Sequence, residues 1–211
     1  MNKIRRTTAG LAATALAGTA ALTAAPSAQA APERDRPTSL AQVLAADGHR
    51  FDQKWGDFDI LDAAVAAVLD AKPKSPVAVL AKGRTELTAF LPTDRAFRHL
   101  AGTLTGTRPD TEKRTFKALA GAAGIDTIET VLLYHVVPGK TLGAAKVVKA
   151  DGKKLTTAQG GKVTVMVKGK RVSLGDADPD LRDPRVTKTD INRGNPQIAH
   201  VIDRVLLPID L

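Results

Sequence analysis

The sequence contains no cysteine and few aromatic residues. Its 211 residues include one tryptophan, one tyrosine and five phenylalanines. Without cysteine the chain can form no disulfide, no thiolate nucleophile and no zinc site with cysteine ligands. The hydrophobic fraction of 43% is nevertheless that of a folded protein and not of a disordered chain. The length is sufficient for one ordinary domain, or for two small domains at most.

The sequence motifs of common catalytic sites are missing as well. No serine stands in a Gly-x-Ser-x-Gly motif, no pair of histidines has the His-Glu-x-x-His spacing, and no glycine-rich phosphate loop follows a predicted strand. We therefore predict that the protein is not an enzyme and uses neither a cofactor nor a metal. A hydrolase that relies on scattered carboxylates stays open as an alternative, because such a pair has no recognisable spacing.

The first thirty residues have the pattern of a secretory signal peptide of bacterial style. Basic residues within the first six positions precede an apolar stretch, and Ala28-Gln29-Ala30 provides small residues at a cleavage site. The apolar stretch is short and interrupted, which does not favour a membrane-spanning helix. We predict that residues 1–30 are removed and that the mature protein, without a transmembrane anchor, is secreted or associated with the cell envelope.

Positive charge exceeds negative charge in the full chain and in the predicted mature protein. The full chain has a formal net charge of +9, and removal of three basic residues with the leader leaves +6. A basic protein outside the cell suits polyanionic partners such as acidic glycans or cell-wall polymers. Nucleic acid is not an expected partner, because the basic residues lack the interleaved aromatic side chains that stack on bases.

The rest of the chain is predicted to be a flexible linker at residues 31–37 and one domain at residues 38–211. Helices are predicted in the first half of this domain. Thr38 or Ser39 can cap a short helix, Asp57 or Asp59 can cap a second, and Asp126 with Glu129 forms a capping-box pattern for a later helix that Pro138-Gly139 closes. The block from Leu87 to Leu91 predicts one early strand, and Thr93 can cap the helix that follows it.

Strands are predicted in the second half, where the hydrophobic period changes to two. Val163, Val165 and Val167 alternate with polar residues, and the segment at 171–174 follows after a turn, which predicts a hairpin. Two further strands are predicted at 185–191 and 197–202. Helices followed by strands indicate an α+β fold and not a doubly wound parallel sheet.

Three blocks of the sequence resemble the signatures of the fasciclin domain family. They are Thr88-Ala89-Phe90-Leu91-Pro92-Thr93-Asp94-Arg95-Ala96-Phe97, Leu132-Leu133-Tyr134-His135-Val136-Val137-Pro138-Gly139 and His200-Val201-Ile202-Asp203-Arg204-Val205-Leu206-Leu207-Pro208. The blocks stand in the order and at the separations usual for the family. The resemblance implies a wedge of β-strands packed with several helices. It also implies a non-catalytic binding or adhesion module whose partner is a cell-surface or matrix protein or an acidic glycan.

The resemblance also implies two short binding elements. Tyr134-His135 and Asp190-Ile191 are similar to the Tyr-His and Asp-Ile elements linked to integrin binding in animal relatives. The alternative is a packing role, in which Tyr134 is part of the core and Asp190-Ile191 ends a strand.

A basic segment on the predicted hairpin is the other candidate binding site. Between Lys146 and Arg171 there are eight lysine or arginine residues and a single acid, Asp151. These cations can form a basic face for an anionic polymer, and the contact residues that we single out are Lys162, Lys168, Lys170 and Arg171. The alternative is that the lysines keep an edge strand soluble and unpaired.

A carrier of small apolar ligands is a further alternative for the function of the domain.

An acidic segment follows directly after the basic one, with Asp176, Asp178, Asp180 and Asp183. Counted from Asp176, Leu181 and Thr187 occupy the places where a calcium-binding EF-hand loop needs glycine and glutamate. We therefore predict a solvated loop here and no metal.

Overall fold

The computed structural model describes residues 37–48 and 50–210. The predicted signal peptide and nearly all of the predicted linker lie outside the described residues. The elements in chain order are α1 (Leu40–Leu44), a 3₁₀ helix (Ala45–Asp47), α2 (Asp59–Ala71), a second 3₁₀ helix (Pro76–Ala81), β1 (Leu87–Pro92), α3 (Asp94–Thr105), α4 (Glu112–Tyr134), β2 (Val136–Pro138), α5 (Ala144–Val148), β3 (Lys154–Thr156), β4 (Lys162–Lys168), β5 (Arg171–Gly175), β6 (Val186–Ile191) and β7 (Gln197–Ile202).

The strands form two sheets. One has the order β2-β1-β7-β6, in which β1 and β7 are parallel and the other pairs are antiparallel. The other is the antiparallel sheet β3-β4-β5. Helices precede most of the strands along the chain, which confirms the predicted α+β class.

The core consists of two clusters on either side of the four-stranded sheet. One cluster packs α1, α2 and parts of α3 and α4 against β1, with Leu40, Ile60 and Val68 almost completely buried. The other packs β1 and β7 against the three-stranded sheet and includes Phe90 and Leu174. Because both faces of β1 and β7 are covered, all the residues of these strands are buried.

The predicted caps of the first and third helices are confirmed. The Ser39 hydroxyl accepts a hydrogen bond from the Gln42 backbone N–H, and the Gln42 side chain accepts one from the Ser39 N–H, which completes a capping box. Thr93 caps α3 by accepting from the Ala96 N–H.

The predicted cap of α2 is wrong. Neither Asp57 nor Asp59 caps this helix, and the residue before it, Phe58, makes no side-chain cap. The Asp94 carboxylate instead accepts hydrogen bonds from the N–H groups of Asp59 and Ile60, at 3.2 and 2.9 Å. The first turn of α2 is therefore capped by the first residue of α3.

The capping box and the end predicted for the later helix are wrong, but its predicted start near Asp126 is close, because Gly124 divides α4 into two helices and the second begins directly after it. The helix begins at Glu112, where Thr111 caps it, and Gly124 interrupts it with a φ of 70°. Asp126 and Glu129, the predicted capping box, lie inside the second half of α4, and both carboxylates pair with Lys72. After Tyr134 the chain enters strand β2, so Pro138 ends a strand and not a helix.

The predicted hairpin and both late strands are confirmed as β4–β5, β6 and β7. The short elements α5 and β3 were not predicted. Within the described residues, no helix has the length and apolar character needed to cross a membrane.

Candidate functional site

Four cations share the outer face of the three-stranded sheet. Along β4 the side chains alternate, so that Val163 and Val165 are buried while Lys162 and Lys168 are exposed. The register places Lys154 of β3 opposite Thr164 and Arg171 of β5 opposite Lys168, so Lys154 and Arg171 lie on the same outer face. Lys154 was missed by the sequence analysis, because β3 is too short to show an alternating pattern.

No carboxylate neutralises this basic face within residues 37–48 and 50–210. None of its four cations forms an ion pair there. The one acid of the segment, Asp151, accepts a hydrogen bond from the Val167 backbone N–H at 2.8 Å. Lys168 and Arg171 are direct cross-strand partners, and like charges in that position repel each other. Lys170, exposed in the turn between them, adds a third cation at the same end of the hairpin.

Tyr134 is buried below this sheet. Its side chain is 1% exposed, and its hydroxyl donates a hydrogen bond to the Lys162 carbonyl oxygen at 2.8 Å. The ring lies so close to Gly161 that a Cβ atom there would come within 2.8 Å of it. Burial raises the pKa of the phenol. Tyr134 thus links the end of α4 to the start of β4.

His135 is buried at the point where α4 meets the C-terminal segment. Its Nε2 accepts a hydrogen bond from the Leu206 N–H at 2.9 Å, so Nδ1 holds the proton and donates to the Val131 carbonyl oxygen at 2.7 Å. Burial lowers the pKa of His135 to about 4, so the ring is neutral at physiological pH.

Asp190 and Ile191 lie at the end of β6. Asp190 has a φ of 59°, and its carboxylate accepts a hydrogen bond from the Ala144 N–H, the first of α5, at 2.7 Å. Its own N–H donates to Nδ1 of the buried His200 at 3.4 Å. The half-buried Ile191 side chain packs against the larger core cluster. The structure does not bring these residues into one site with Tyr134 and His135.

The aspartates of the acidic segment shape their own loop. Asp176 accepts a hydrogen bond from the Leu207 N–H at 2.8 Å, and Asp178 accepts from the N–H groups of Asp180 and Leu181, each at 2.9 Å. Burial raises the pKa of Asp176 to about 6.

An apolar cleft of about 500 Å³ was not predicted by the sequence analysis. It lies between α2, α3, α4 and the C-terminal segment, and its wall is almost entirely hydrophobic, with Phe97, Leu100, Phe116, Leu119, Val131 and Leu207 among the lining residues. Leu104 and Ile209 at its rim are 43% and 58% exposed. The spacing of Phe116 and Leu119 places them on one face of a helix. The other residues that line the cleft come from distant segments, so the sequence pattern does not reveal the cleft.

Comparisons with known proteins identify a family and related solved structures. The model of the Fasciclin domain family matches residues 63–208. A solved structure of a FAS1 domain pair from the insect cell adhesion molecule fasciclin I is similar, with a TM-score of 0.48 and 18% sequence identity. The alignment covers 70% of this chain and 47% of that chain, so it spans about half the length of the domain pair. The comparison with curated proteins found no match.

Proposed function

This chain belongs to the fasciclin domain family, and we propose that it is an exported binding module that attaches to polyanionic glycans or cell-wall polymers. Fasciclin domains are generally non-catalytic adhesion modules that occur outside the cell or at its surface, which supports a binding role. The contact surface in this proposal is the basic face formed by Lys154, Lys162, Lys168 and Arg171, with Lys170 beside it.

The unneutralised like charges of this face carry the proposal. A cross-strand pair of cations such as Lys168 and Arg171 destabilises a hairpin unless an anion lies between them. Lys168 lies six positions after Lys162, which corresponds to roughly 20 Å along a strand. A polymer with repeated negative charges can therefore contact both ends of the face at once.

The test is binding to heparin beads and to isolated cell envelopes over a salt series. We expect saturable binding that weakens as salt approaches physiological strength, because exposed charges are screened over a Debye length of about 8–10 Å. The variant Lys162→Glu/Lys168→Glu/Arg171→Glu should bind about tenfold or more weakly, since each exposed ion pair contributes roughly 0.2–1 kcal/mol.

The matched control is Lys74→Glu/Arg84→Glu/Lys117→Glu, which changes the net charge equally at exposed positions outside the sheet. Equal losses in both triple variants would show that net charge alone drives attachment and would overturn the assignment to the basic face. No binding to either material would overturn the polyanion proposal itself.

The apolar cleft favours a second candidate function, the carriage of a small apolar ligand. Its volume of about 500 Å³ lies within the range of ligand pockets, and its wall is apolar. Attachment that persists at high salt and in the charge-reversed variant would favour the cleft over the basic face.

The roles of Tyr134, His135, Asp190 and Ile191 in binding stay predictions. Tyr134 and His135 are buried, so direct contact with a partner would require the end of α4 to open. Asp190 and Ile191 are partly exposed and need no such opening.

A further inference from the structure

Four carboxylates converge where the loop at residues 50–58 meets the starts of α2 and α4. Asp52 and Asp57 lie in the loop, Asp59 begins α2 and Glu112 begins α4. Each provides one carboxylate oxygen such that the four oxygens all lie within 4.8 Å of one another. Among the described residues this is the only group of acidic or histidine side chains with such a geometry.

The Glu112 carboxylate is the most unusual member of this cluster. The residue is 0% exposed, and although its Oε2 accepts a hydrogen bond from the Gln53 N–H at 2.8 Å, its Oε1 has no partner among the described residues. Asp57 Oδ1 is buried as well, and the Asp94 carboxyl group lies next to the Asp57 side chain. A buried carboxylate oxygen that receives no donor is costly, because it has lost its hydration.

Lys54 pairs with Asp52, and the Lys54 side chain is 75% exposed. The Asp52 N–H donates to Asp59 at 3.1 Å. Burial, together with the charges of Asp59, Asp57 and Asp52, raises the pKa of Glu112.

We propose that these four residues form a Ca²⁺ site. Calcium takes six to eight oxygen ligands at about 2.3–2.6 Å, and the four carboxylate oxygens lie close enough together to share one ion. Magnesium binds closer, at about 2.0–2.1 Å, and usually takes only one or two carboxylates with several waters. Four carboxylates therefore favour calcium, with water completing the coordination.

A bound calcium ion would add to the hydrogen bonds that already join the loop to the starts of α2 and α4. Glu112 Oε1 would gain the partner that it lacks. Trp55, the only tryptophan of the chain, lies in this loop and packs under the Arg98 guanidinium at 4.5 Å. Its emission therefore provides a local signal for the site.

The experiment is calorimetric titration of the chelator-treated full chain with CaCl₂. We expect one ion per chain with a Kd on the order of 10⁻⁴ M, as in extracellular calcium modules. At 10 mM CaCl₂ the melting temperature should then rise by roughly 5–10 °C. Equimolar MgCl₂ should give a much smaller rise.

The variants are Glu112→Gln and Asp57→Asn, with Asp180→Asn in the exposed acidic loop as the matched control. Each ligand variant should weaken calcium binding at least tenfold, and the control should leave it unchanged. Because Glu112→Gln removes a buried charge that has no cation, the calcium-free variant should melt at or above the temperature of the wild type. Asp57 is less buried than Glu112, so Asp57→Asn tests the site even if Glu112→Gln misfolds.

Tb³⁺, a hard ion with similar oxygen ligands, provides a second measurement. Excitation of Trp55 should sensitise Tb³⁺ emission, and CaCl₂ should displace the signal. Absence of both calorimetric heat and a thermal shift at 10 mM CaCl₂ would overturn the proposal. Calcium binding that Glu112→Gln and Asp57→Asn leave unaltered would overturn it as well.

Discussion

Asp94 connects two helices through a single buried carboxyl group. The residue is 0% exposed, and its carboxyl oxygens cap α2 through the N–H groups of Asp59 and Ile60. Its own backbone N–H donates to the Asp57 carbonyl oxygen at 3.1 Å. Burial, and next to it the neighbouring Asp57, raises the pKa of Asp94 to about 8. The folded protein therefore keeps this carboxyl group protonated at neutral pH.

Asp94→Asn should make the domain more stable at neutral pH. Between about pH 4 and pH 8 the unfolded carboxyl group is ionised while the folded one holds its proton, so the stability of the wild type decreases as pH rises through this window. Asparagine has no proton to lose, and its carbonyl oxygen can still cap α2. The gain in unfolding free energy should grow from near zero at pH 4 to about 1 kcal/mol or more at pH 8. Urea denaturation at several pH values measures this gain. A difference in unfolding free energy between variant and wild type that does not vary with pH would contradict the raised pKa of Asp94.

Helix α4 is divided by Gly124. Gly124 has φ 70° and ψ 168°, a conformation that only glycine adopts readily. Residues on both sides of it line the apolar cleft, from Phe116 in the first half to Val131 in the second.

Gly124→Ala should therefore lower the unfolding free energy by about 1–3 kcal/mol. The matched control on the same helix is Gly121→Ala. Gly121 has no positive φ and open space around its Cβ position, so this substitution should stabilise the protein by about 0.5–1 kcal/mol. Chemical denaturation of the two variants measures both effects. A similar gain in both would show that Gly124 is under no conformational constraint.

The elements that the sequence predicted correctly are those whose signals are local. Strand β4 could be recognised from the alternation of Val163 and Val165, and its exposed lysines followed from the same pattern. The cap of α2 could not be recognised from the sequence, because Asp94 lies 35 residues from Asp59, whose N–H group it binds. Asp126 and Glu129 matched a capping pattern, but their pairing with Lys72 depends on the packing of α2 against α4. The apolar cleft and the carboxylate cluster also combine segments that only the folded chain brings together.

At the scale of the whole molecule, Gln197 joins the first and last parts of the domain. Its side chain is fully buried, and Oε1 accepts a hydrogen bond from the Leu40 N–H of α1 at 2.7 Å. Its Nε2 donates to the carbonyl oxygens of Val79 and Lys82, at 2.8 and 3.0 Å. One amide on β7 thus holds α1 and the second 3₁₀ helix against the sheet.

Gln197→Leu should lower the unfolding free energy by about 2–4 kcal/mol, since it leaves buried backbone groups without partners. Hydrogen exchange measured by mass spectrometry should become faster in α1 and around Val79 before it changes in β4 and β5. Gln159→Ala serves as the control, since Gln159 is exposed and accepts only one hydrogen bond, from the Gly161 N–H at 2.9 Å, and it should change stability by less than about 1 kcal/mol. Uniform acceleration of exchange throughout the domain would contradict this local role.

The parallel pairing of β1 with β7 also determines when the domain can fold. These two strands form the centre of the four-stranded sheet, yet more than half of the chain separates Leu87 from its partner Gln197. During synthesis β1 leaves the ribosome long before β7, and β6 pairs with the sheet only through β7. The sheet therefore closes only after β7 has emerged. Pairing between strands so distant in sequence is slow to form, and we expect folding in milliseconds to seconds once β7 is available.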